Sequence, residues 1–549
     1  MSSTPLVPCQ RGQASSLLRL KHSFNTTGAG GDSTTFRSWV AGTDCCSWEG
    51  VSCGNADGRV TSLDLRGRQL QAGGGLDPAL FGLTSLTHLD LSGNDFNMSQ
   101  LPSAGFERLT ALTHLDLSDT NLAGSVPSGI SRLKNLVHLD LSTRFWVVDF
   151  DDKNSEIHYT SDSIWQLSAA NLDTLLENLT NLEELRLGTA DLSGNGPRWC
   201  HDVAKFTPKL QVLSLPYCSL SGSICKSFSA LEFLRVIDLH YNHLSGSVPE
   251  FLAGFSNLTV LQLSTNKFDG WFPPIIFLHK KLQTLDLSGN LGISGVLPTY
   301  FTQDTNMENL FVNNTNFSEL RIADISSNHF TGTLPVGWFK MLKSMMTRSD
   351  NETLVMQNQY HHGQTYHFTA AITYKGNYMT NLNILRTLVL MDISDNAFCG
   401  TIPESIGELV LLLGLNMSHN ALEGPILAQF GSLKQLESLD LSSNELSGEI
   451  PEELASLNFL STLNLSYNML AGRIPESSQF STFSNSSFLG NTGLCGPPVL
   501  KQCSNRTDTS LIHVSEDSID VLLFMFTALG FGIFFSITVI VIWGRHSRK

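Results

Sequence analysis

Leucines recur along most of this chain at short fixed intervals, and polar residues occupy the positions between them. Segments such as "LTHLDLSGNDF", "LESLDLSSNELSGEIP" and "LSTLNLSYNMLAGRIP" follow one template, LxxLxLxxNxLxGxIP, which returns about every 24 residues in about fifteen copies. Alternate side chains of an extended segment point to opposite faces. Each copy is therefore predicted to form one short strand whose leucines point inward.

A repeat of this length lies in the range of leucine-rich repeats. Each copy can bury its leucines only against its neighbours, which predicts an α/β-type solenoid, a horseshoe or superhelix with a parallel sheet on its concave side. The template asparagines are predicted to satisfy turn backbone inside the coils. They are Asn94, Asn242, Asn266, Asn290, Asn328, Asn396, Asn420, Asn444 and Asn468. The Gly-x-Ile-Pro half of the template resembles the plant subclass of these repeats.

Breaks in the template divide the chain into segments. We predict an N-terminal cysteine cap (1–59), repeats (60–142 and 182–339), a loop-out (143–181), an island (340–384), closing repeats (385–475), a C-terminal cysteine cap (476–507), an acidic juxtamembrane segment (508–520), a transmembrane helix (521–543) and a cytoplasmic tail (544–549). Loops on a rigid scaffold often carry recognition. The aromatic-rich loop-out is consistent with the rim of a binding site. It is equally consistent with an insertion that packs over its own aromatic side chains.

A second irregularity lies near residues 318–319, where one repeat runs into the next without its Gly-x-Ile-Pro half. Either that repeat is naturally short or sequence has been lost, and we favour a deletion in the gene model.

The charge balance is acidic, with a formal net charge of -16 and 15% charged residues. A nucleic-acid partner, which requires clustered Lys and Arg, is excluded on this basis. The chain carries no Gly-x-Ser-x-Gly, His-Glu-x-x-His, P-loop or kinase signature. We therefore expect a binding protein that is not an enzyme and that has no cofactor.

Polar residues at the outward strand positions form a predicted concave stripe. Its acidic members are Asp64, Asp90, Asp116, Asp140, Asp238, Asp286, Asp324, Asp392 and Asp440, and His88, His114 and His138 run beside its first part. A metal or pH-sensing site would use such residues. We favour a surface ladder inherited with the repeat, because zinc needs converging ligands and not a line of them. His361, His362 and His367 of the island lack supporting ligands, and no metal is expected.

The last apolar run, "VLLFMFTALGFGIFFSITVIVIW", predicts a membrane span, with acids before it and Arg545, Arg548 and Lys549 after it. Within it Ala528, Gly532 and Ser536 form a small-xxx-small stripe that would let another helix pack closely, unless the spacing arose by chance. This topology puts the N-terminus outside the cell. Because "MSSTPLVPCQ" contains no apolar signal, we hypothesise that a signal peptide is missing from this chain.

Candidate N-glycosylation sequons support an extracellular location. They lie at Asn25, Asn97, Asn178, Asn257, Asn313, Asn316, Asn351, Asn416, Asn464, Asn485 and Asn505. Asn416 and Asn464 fall at outward positions of the closing repeats, where glycans would narrow the surface available to a partner.

The cysteines cluster at the two ends of the array, where a solenoid needs caps. The spacing of Cys9, Cys45, Cys46 and Cys53, with Cys495 and Cys503 at the other end, resembles the paired-cysteine caps of plant extracellular leucine-rich-repeat proteins. That resemblance implies the pairs Cys9–Cys45, Cys46–Cys53 and Cys495–Cys503, although the sequence alone allows other connectivities. Cys200 and Cys225 lie at the two ends of one repeat and are candidates for a fourth disulfide. Cys218 is expected to be a buried free thiol, and no disulfide partner is predicted for Cys399.

The whole order of cap, repeats, island, closing repeats, cap, span and stub resembles plant leucine-rich-repeat receptor-like proteins, the group that includes the Cf and Ve immune receptors. In that family the upper concave array and the island bind ligand, while the island and the closing repeats meet a partner receptor kinase. The resemblance implies a plasma-membrane protein that recognises a peptide, protein or glycan ligand. The island match centres on Tyr374, Lys375 and Gly376.

Several functions fit this resemblance. The leading expectation is a subunit of a defence receptor that signals through a kinase co-receptor or adaptor. A developmental peptide co-receptor, a blocker that resembles polygalacturonase-inhibiting proteins and a truncated non-functional copy are the alternatives, and the predicted span disfavours the soluble blocker.

Overall fold

The computed structural model describes residues 7–26, 36–54, 56–72, 74–143, 167–299, 319–347 and 388–503, and the backbone of four strands between 357 and 383. Almost all of these residues belong to one compact unit, Met1–Gln502. Its core is a continuous cluster of buried leucines and phenylalanines contributed by successive repeats. The predicted leucine-rich-repeat solenoid is confirmed.

Among the described residues the main sheet has fifteen strands, the first from the N-terminal cap and each of the others from one coil of the array. In order they are Val51–Cys53, Val60–Asp64, His88–Asp90, His114–Asp116, His138–Asp140, Glu184–Arg186, Val212–Ser214, Val236–Asp238, Val260–Gln262, Thr284–Asp286, Ile322–Asp324, Leu390–Asp392, Gly414–Asn416, Ser438–Asp440 and Thr462–Asn464. The first strand is antiparallel to the second, and the other neighbours are parallel. One face of this sheet covers the leucine core, and we call the opposite face the outer face.

A second parallel sheet of ten strands follows the template asparagines. It contains Ser221–Gly222, His243–Gly246, Lys267–Trp271, Gly292–Gly295, His329–Thr333, Ala397–Thr401, Ala421–Pro425, Glu445–Gly448, Met469–Arg473 and Gly493–Cys495. The template glycine turns the chain in these strands with a positive φ, for example 90° at Gly472, which favours glycine.

Shorter sheets complete the strand inventory of the described residues. Gly124–Ser125, Leu167–Ser168 and Ala190–Asp191 form a three-stranded parallel sheet, and Asn25–Thr26 pairs with Leu70–Gln71. In the island region Gln357–Gln359 pairs with Thr365–His367, and Thr369–Tyr374 with Asn377–Asn383, both antiparallel. The island therefore departs from the parallel pattern of the array.

Helices close the coils on the side away from the main sheet. The α-helices of the described residues are Arg11–Ser23, Leu172–Leu176, Trp199–Phe206 and Val336–Met341. Short 3₁₀ helices span Cys45–Ser47, Pro78–Gly82, Phe106–Arg108, Ser128–Arg132, Ser193–Arg198, Lys226–Ala230, Glu250–Gly254, Pro274–Leu278, Lys343–Met345, Glu404–Glu408, Ala428–Ser432, Glu452–Ser456, Phe480–Thr482 and Asn485–Phe488. No helix among the described residues is long and apolar enough to cross a membrane. The span predicted for 521–543 lies outside the described residues.

The template asparagines bond turn backbone within their own coil, as predicted, and they also bond the adjacent coil. Asn266 donates from Nδ2 to the carbonyl oxygens of Leu239 and Leu263, at 2.9 and 3.1 Å, and its Oδ1 accepts from the backbone N–H of Leu244 at 3.0 Å. Nδ2 also donates to the carbonyl oxygen of Ser264 at 3.1 Å. Because all four partners are buried backbone groups, this side chain replaces the hydrogen bonds that water would otherwise supply.

Inserted segments do not interrupt either sheet. Ile322–Asp324 pairs with Thr284–Asp286 on one side and with Leu390–Asp392 on the other. The predicted loop-out is shorter in the structure than 143–181, because Leu167–Ser168 already pairs with Gly124–Ser125. The array therefore resumes at Leu167.

Candidate functional site

The outer face of the main sheet is the candidate site, and its polar side chains lie in rows fixed by strand register. Asp64, Asp90, Asp116 and Asp140 occupy equivalent positions on four successive strands. The row continues through Arg186, Ser214, Asp238, Gln262, Asp286, Asp324, Asp392, Asn416, Asp440 and Asn464. The acidic stripe is thus interrupted in the middle and alternates with amides at its end.

One carboxylate oxygen of most aspartates in this row holds the turn after its own strand. Asp116 Oδ1 accepts from the backbone N–H and from the hydroxyl of Ser118, at 2.9 and 2.7 Å. Equivalent bonds join Asp90, Asp140, Asp286, Asp324, Asp392 and Asp440 to the serine two residues later. Such local bonds stabilise turns. The aspartates therefore have a structural role in the repeat.

The second carboxylate oxygen distinguishes the aspartates from one another. Oδ2 accepts from Arg66 in Asp90, from Ser214 in Asp238, from Ser264 in Asp286, from Asn416 in Asp392 and from Asn464 in Asp440, at 2.5–3.1 Å. Among the buried aspartates of the row, Oδ2 of Asp116, Asp140 and Asp324 receives no hydrogen bond from any described residue. These three carboxylates therefore lack the side-chain donor that the other five have at Oδ2.

Neighbouring carboxylates disturb one another's ionisation. Burial and the charges of Asp140 and Asp90 raise the pKa of Asp116 to about 7. Burial, Asp392 and Asp286 raise the pKa of Asp324 well above its usual value. In the closing repeats Asn416 and Asn464 alternate with the aspartates and donate to them, although burial and the charge of Asp440 still raise the pKa of Asp392.

The predicted histidines lie in a second row, two residues before the aspartates. Ring centroids are 5.1 Å apart for His88 and His114 and 5.9 Å apart for His114 and His138. His138 is buried, and its Nδ1 lies 2.9 Å from Oε2 of Glu184 on the next strand. Burial alone would lower the pKa of His138, but Glu184 and the nearby aspartates raise it. This row brings His138 next to Asp116 and Asp140.

The middle of the outer face differs in chemistry from the first part. Val212, Val236, Val260 and Ile322 continue the histidine row in register, with Thr284 between the last two, and all are buried. Sequence analysis missed this apolar row, although the signal was present as Val, Thr or Ile at the second position after each leucine that opens a repeat.

An aromatic group flanks this middle section. The rings of Tyr217 and Tyr241 stack with centroids 4.3 Å apart, and His240 packs edge-on against Tyr217. His240 Nδ1 lies 2.5 Å from Oδ1 of Asp238. Burial opposes both charges, but their mutual attraction and hydrogen bonding lower the pKa of Asp238 and raise the pKa of His240. The contact therefore favours the charged form of each group.

Residues predicted for the island and the membrane span are described only in part. Tyr374 ends the strand Thr369–Tyr374, and His367 ends Thr365–His367. Lys375, Gly376, His361 and His362 lie outside the described residues, as do Ala528, Gly532 and Ser536. Their predicted roles stay predictions.

The sequons fall in different surroundings. Asn97 and Asn485 are exposed, Asn178 and Asn257 are half-buried, and Asn25 lies in a short strand. Asn313, Asn316, Asn351 and Asn505 lie outside the described residues. Asn416 and Asn464 use their Nδ2 atoms within the row, so glycans there would replace one donated hydrogen. Occupancy stays a prediction.

The cysteines separate into bonded and free groups. Disulfides join Cys9 to Cys45, Cys46 to Cys53 and Cys200 to Cys225, and both Cys495 and Cys503 are disulfide-bonded. Cys218 is free and buried at a template asparagine position, where burial raises the pKa of its thiol. Its Sγ lies 3.1 Å from the carbonyl oxygen of Leu187, which it contacts in place of the missing asparagine amide. Cys399 is free and exposed.

Two family models match parts of the chain. Residues 11–54 match the leucine rich repeat N-terminal domain, and residues 85–109, 111–133, 233–255 and 435–457 match the leucine rich repeat. These ranges include the first helix, the N-terminal cysteine cap and four of the coils described above.

Curated relatives are plant proteins. The chain is 36% identical over 199 residues to the receptor-like protein Cf-9 homolog of Solanum lycopersicum, a match that covers 36% of this chain and 21% of the relative. It is 33% identical over 189 residues to receptor-like protein 7 of Arabidopsis thaliana, covering 34% and 18%. The match spans about a fifth of the length of these relatives.

Among solved structures, the plant peptide hormone receptor RGFR1 in complex with RGF2 aligns with a TM-score of 0.44 and 24% identity, covering 82% of this chain and 71% of that one. The repeats, the N-terminal cap and the curated matches lead to one conclusion. The chain is a leucine-rich-repeat protein with a leucine-rich-repeat N-terminal domain, and its resemblance to plant receptor-like proteins of the Cf-9 kind is confirmed.

Proposed function

We propose that this protein is a plant cell-surface receptor-like protein that recognises an extracellular ligand and signals in defence through a partner receptor kinase. The observation that carries the proposal is the likeness to the Cf-9 homolog, a relative named as a receptor-like protein, in a chain built as a leucine-rich-repeat array. Cysteine caps of an oxidising environment support an extracellular location.

The outer face of the main sheet is the proposed ligand surface. It offers histidines and carboxylates on its first strands, a tyrosine pair at its middle and amides at its end, so its chemistry changes along the array. A peptide that lies along the sheet would meet these regions in turn. Tyrosines contribute large contact areas with few rotatable bonds, which makes the stacked pair Tyr217–Tyr241 the expected anchor.

The closing repeats and the island are the proposed surface for the partner kinase. After the island the main sheet continues with Leu390–Asp392 and then with the closing strands Gly414–Asn416, Ser438–Asp440 and Thr462–Asn464. Exposed Phe459, Tyr467 and Met469 lie on these last coils. Aromatic and methionine side chains are enriched at protein interfaces, so they provide apolar contacts for a partner.

Co-immunoprecipitation in plant cells tests the proposal. The full chain, supplied with a signal peptide, is expressed with candidate leucine-rich-repeat receptor kinases and recovered from the plasma-membrane fraction. We expect specific capture of at least one kinase, and reduced capture for a variant in which Phe459, Tyr467 and Met469 are replaced by Ser. Replacing exposed Phe233, on an earlier coil, is the matched control.

Correct display at the plasma membrane without capture of any kinase would refute the signalling function. Capture that is equal for the triple variant and the Phe233 control would retain the function but reject the proposed surface.

A further inference from the structure

Three potential metal ligands converge on the first part of the outer face. His138 and Asp140 are two residues apart on one strand, which places both side chains on the same face, and Asp116 occupies the adjacent strand in register with Asp140. One ligand atom from each side chain lies within 4.8 Å of the other two. The three residues are only 2–8% exposed. The residues therefore form a compact triad, although the sequence indicated a line.

The carboxylates of this triad differ from most others in the row, and share the lack of an Oδ2 donor with Asp324. Asp90, Asp238, Asp286, Asp392 and Asp440 each receive a hydrogen bond at Oδ2 from another side chain. Oδ2 of Asp116 and of Asp140 receives none from any described residue. These two carboxylates lie side by side and repel each other, and a bound cation would relieve that repulsion.

The position of Glu184 supplies the second indication. Its Oε2 lies 2.9 Å from Nδ1 of His138, and it is itself 3.7 Å from Nε of Arg186. A carboxylate that accepts a proton from Nδ1 fixes the tautomer and the orientation of the imidazole ring. This carboxylate–histidine arrangement is the usual outer shell of a metal-bound histidine.

We propose that Asp116, His138 and Asp140 bind one Zn²⁺ ion, with Glu184 as the outer-shell residue that orients His138. Zinc accepts an imidazole nitrogen and carboxylate oxygens together. Ca²⁺ and Mg²⁺ require six or more oxygen ligands, so the imidazole selects against them. Three protein ligands leave a coordination position for water or for a donor group of a molecule bound on the outer face.

The competing explanation is that a proton, and no metal, relieves the repulsion between the carboxylates. In that case Asp116 carries the proton near neutral pH and His138 is positively charged, and neither binds a cation. Zinc affinity separates the two explanations.

The experiment is a calorimetric titration of the full chain, purified without a histidine tag, with Zn²⁺. The test variants are His138→Gln and Asp116→Gln, and the matched control is Asp324→Gln, which removes another aspartate of the row that lacks an Oδ2 donor but has no histidine triad. Gln replaces Asp because Asn would create sequons with Ser118 and Ser326.

We expect the wild type to bind one more equivalent of Zn²⁺ than either test variant, while the Asp324→Gln control keeps that equivalent. Because zinc that binds elsewhere, for example at the island histidines, is common to all variants, only the difference counts. Glu184→Gln should weaken the same site roughly tenfold. Substituting Co²⁺ should give a visible absorption band that is absent in His138→Gln.

Equal zinc binding by the wild type and His138→Gln would overturn the proposal, and so would absence of binding at micromolar zinc. Melting curves in the absence of zinc show whether each variant is folded. If His138→Gln does not fold, Asp116→Gln and Glu184→Gln carry the comparison.

Discussion

At the scale of single residues, the ion pair Asp238–His240 makes stability depend on pH. His240 has a raised pKa, so its contribution is complete below the unfolded pKa of about 6.5 and is lost as the pH rises through the folded pKa. Asp238 has a lowered pKa, so its contribution is present above an unfolded pKa of about 3.9 and is lost as the pH falls through the folded pKa. Both contributions coexist in weakly acidic solution, which is the window of maximum effect.

The corresponding prediction concerns His240→Gln. At about pH 5.5 this change should lower the free energy of unfolding by about 2–3 kcal/mol, because it leaves the buried charge of Asp238 without its partner. The loss should shrink above the raised pKa of His240, where the wild type also lacks the positive charge. Urea denaturation at several pH values measures this loss in the free energy of unfolding. His243→Gln, at an exposed position three residues later, is the control. A loss that is independent of pH would contradict the prediction.

At the scale of the coil, the asparagine ladder is the element that connects one repeat to the next. Asn266→Ala removes an acceptor and a donor that serve four buried backbone groups. Leaving such groups unsatisfied costs about 1–3 kcal/mol. We expect a decrease of that size in the free energy of unfolding, together with faster amide hydrogen exchange at Leu244.

The control for the ladder is Asn135→Ala, since the exposed Asn135 makes one bond, to the carbonyl oxygen of Thr110. Its effect should stay within about 0.5 kcal/mol. If both changes had the same effect, the ladder would not be the connecting element.

The coils could be predicted from the sequence because the same pattern of leucines and polar residues recurs in about fifteen copies. Leucine spacing predicted the strands, and the template asparagines were predicted to bond turn backbone, but their bonds to the neighbouring coil were not predicted. The structure was harder to predict where the sequence departs from the template. Asn195 lies outside the aligned position, yet it donates to Ala169 and Leu192 and accepts from Leu172, because the coil after Ala190 shifts the turn.

The candidate site could be predicted only as a list of residues. Whether Oδ2 of an aspartate has a donor depends on the residue in the neighbouring coil, as Asn416 shows for Asp392 at a separation of 24 residues. At the triad, Glu184 is 46 residues from His138. Because an inserted segment separates these two residues along the chain, the sequence does not show that they lie on adjacent strands.

At the scale of the whole molecule, the array accepts insertions without losing its sheets. The island should therefore be removable. Replacing residues 348–387 by a short Gly-Ser linker is expected to retain a cooperative thermal transition and the far-ultraviolet circular dichroism of the wild type, because Ile322–Asp324 pairs directly with Leu390–Asp392. If the island contributes to partner binding as proposed, the same variant should capture kinase at least about tenfold less, a loss of about 1.4 kcal/mol.

The matched control replaces residues 300–318 in the same way, since the main sheet is also continuous across that segment. This control should keep both its fold and its kinase capture. A molten island variant would contradict the structural part of the prediction, and undiminished capture would contradict the functional part.

The ladder bond at the island has a further consequence for the order of folding. Asn420 bonds the carbonyl of Ile393 across 27 residues, whereas Asn396 bonds the carbonyl of Ile325 across 71. Closing the longer loop costs about 0.9 kcal/mol more in chain entropy. Local contacts form first, so the coils on each side of this bond should assemble as separate blocks and join last at Ile325 and Asn396. Under mechanical force, the folded array should open first at this same junction.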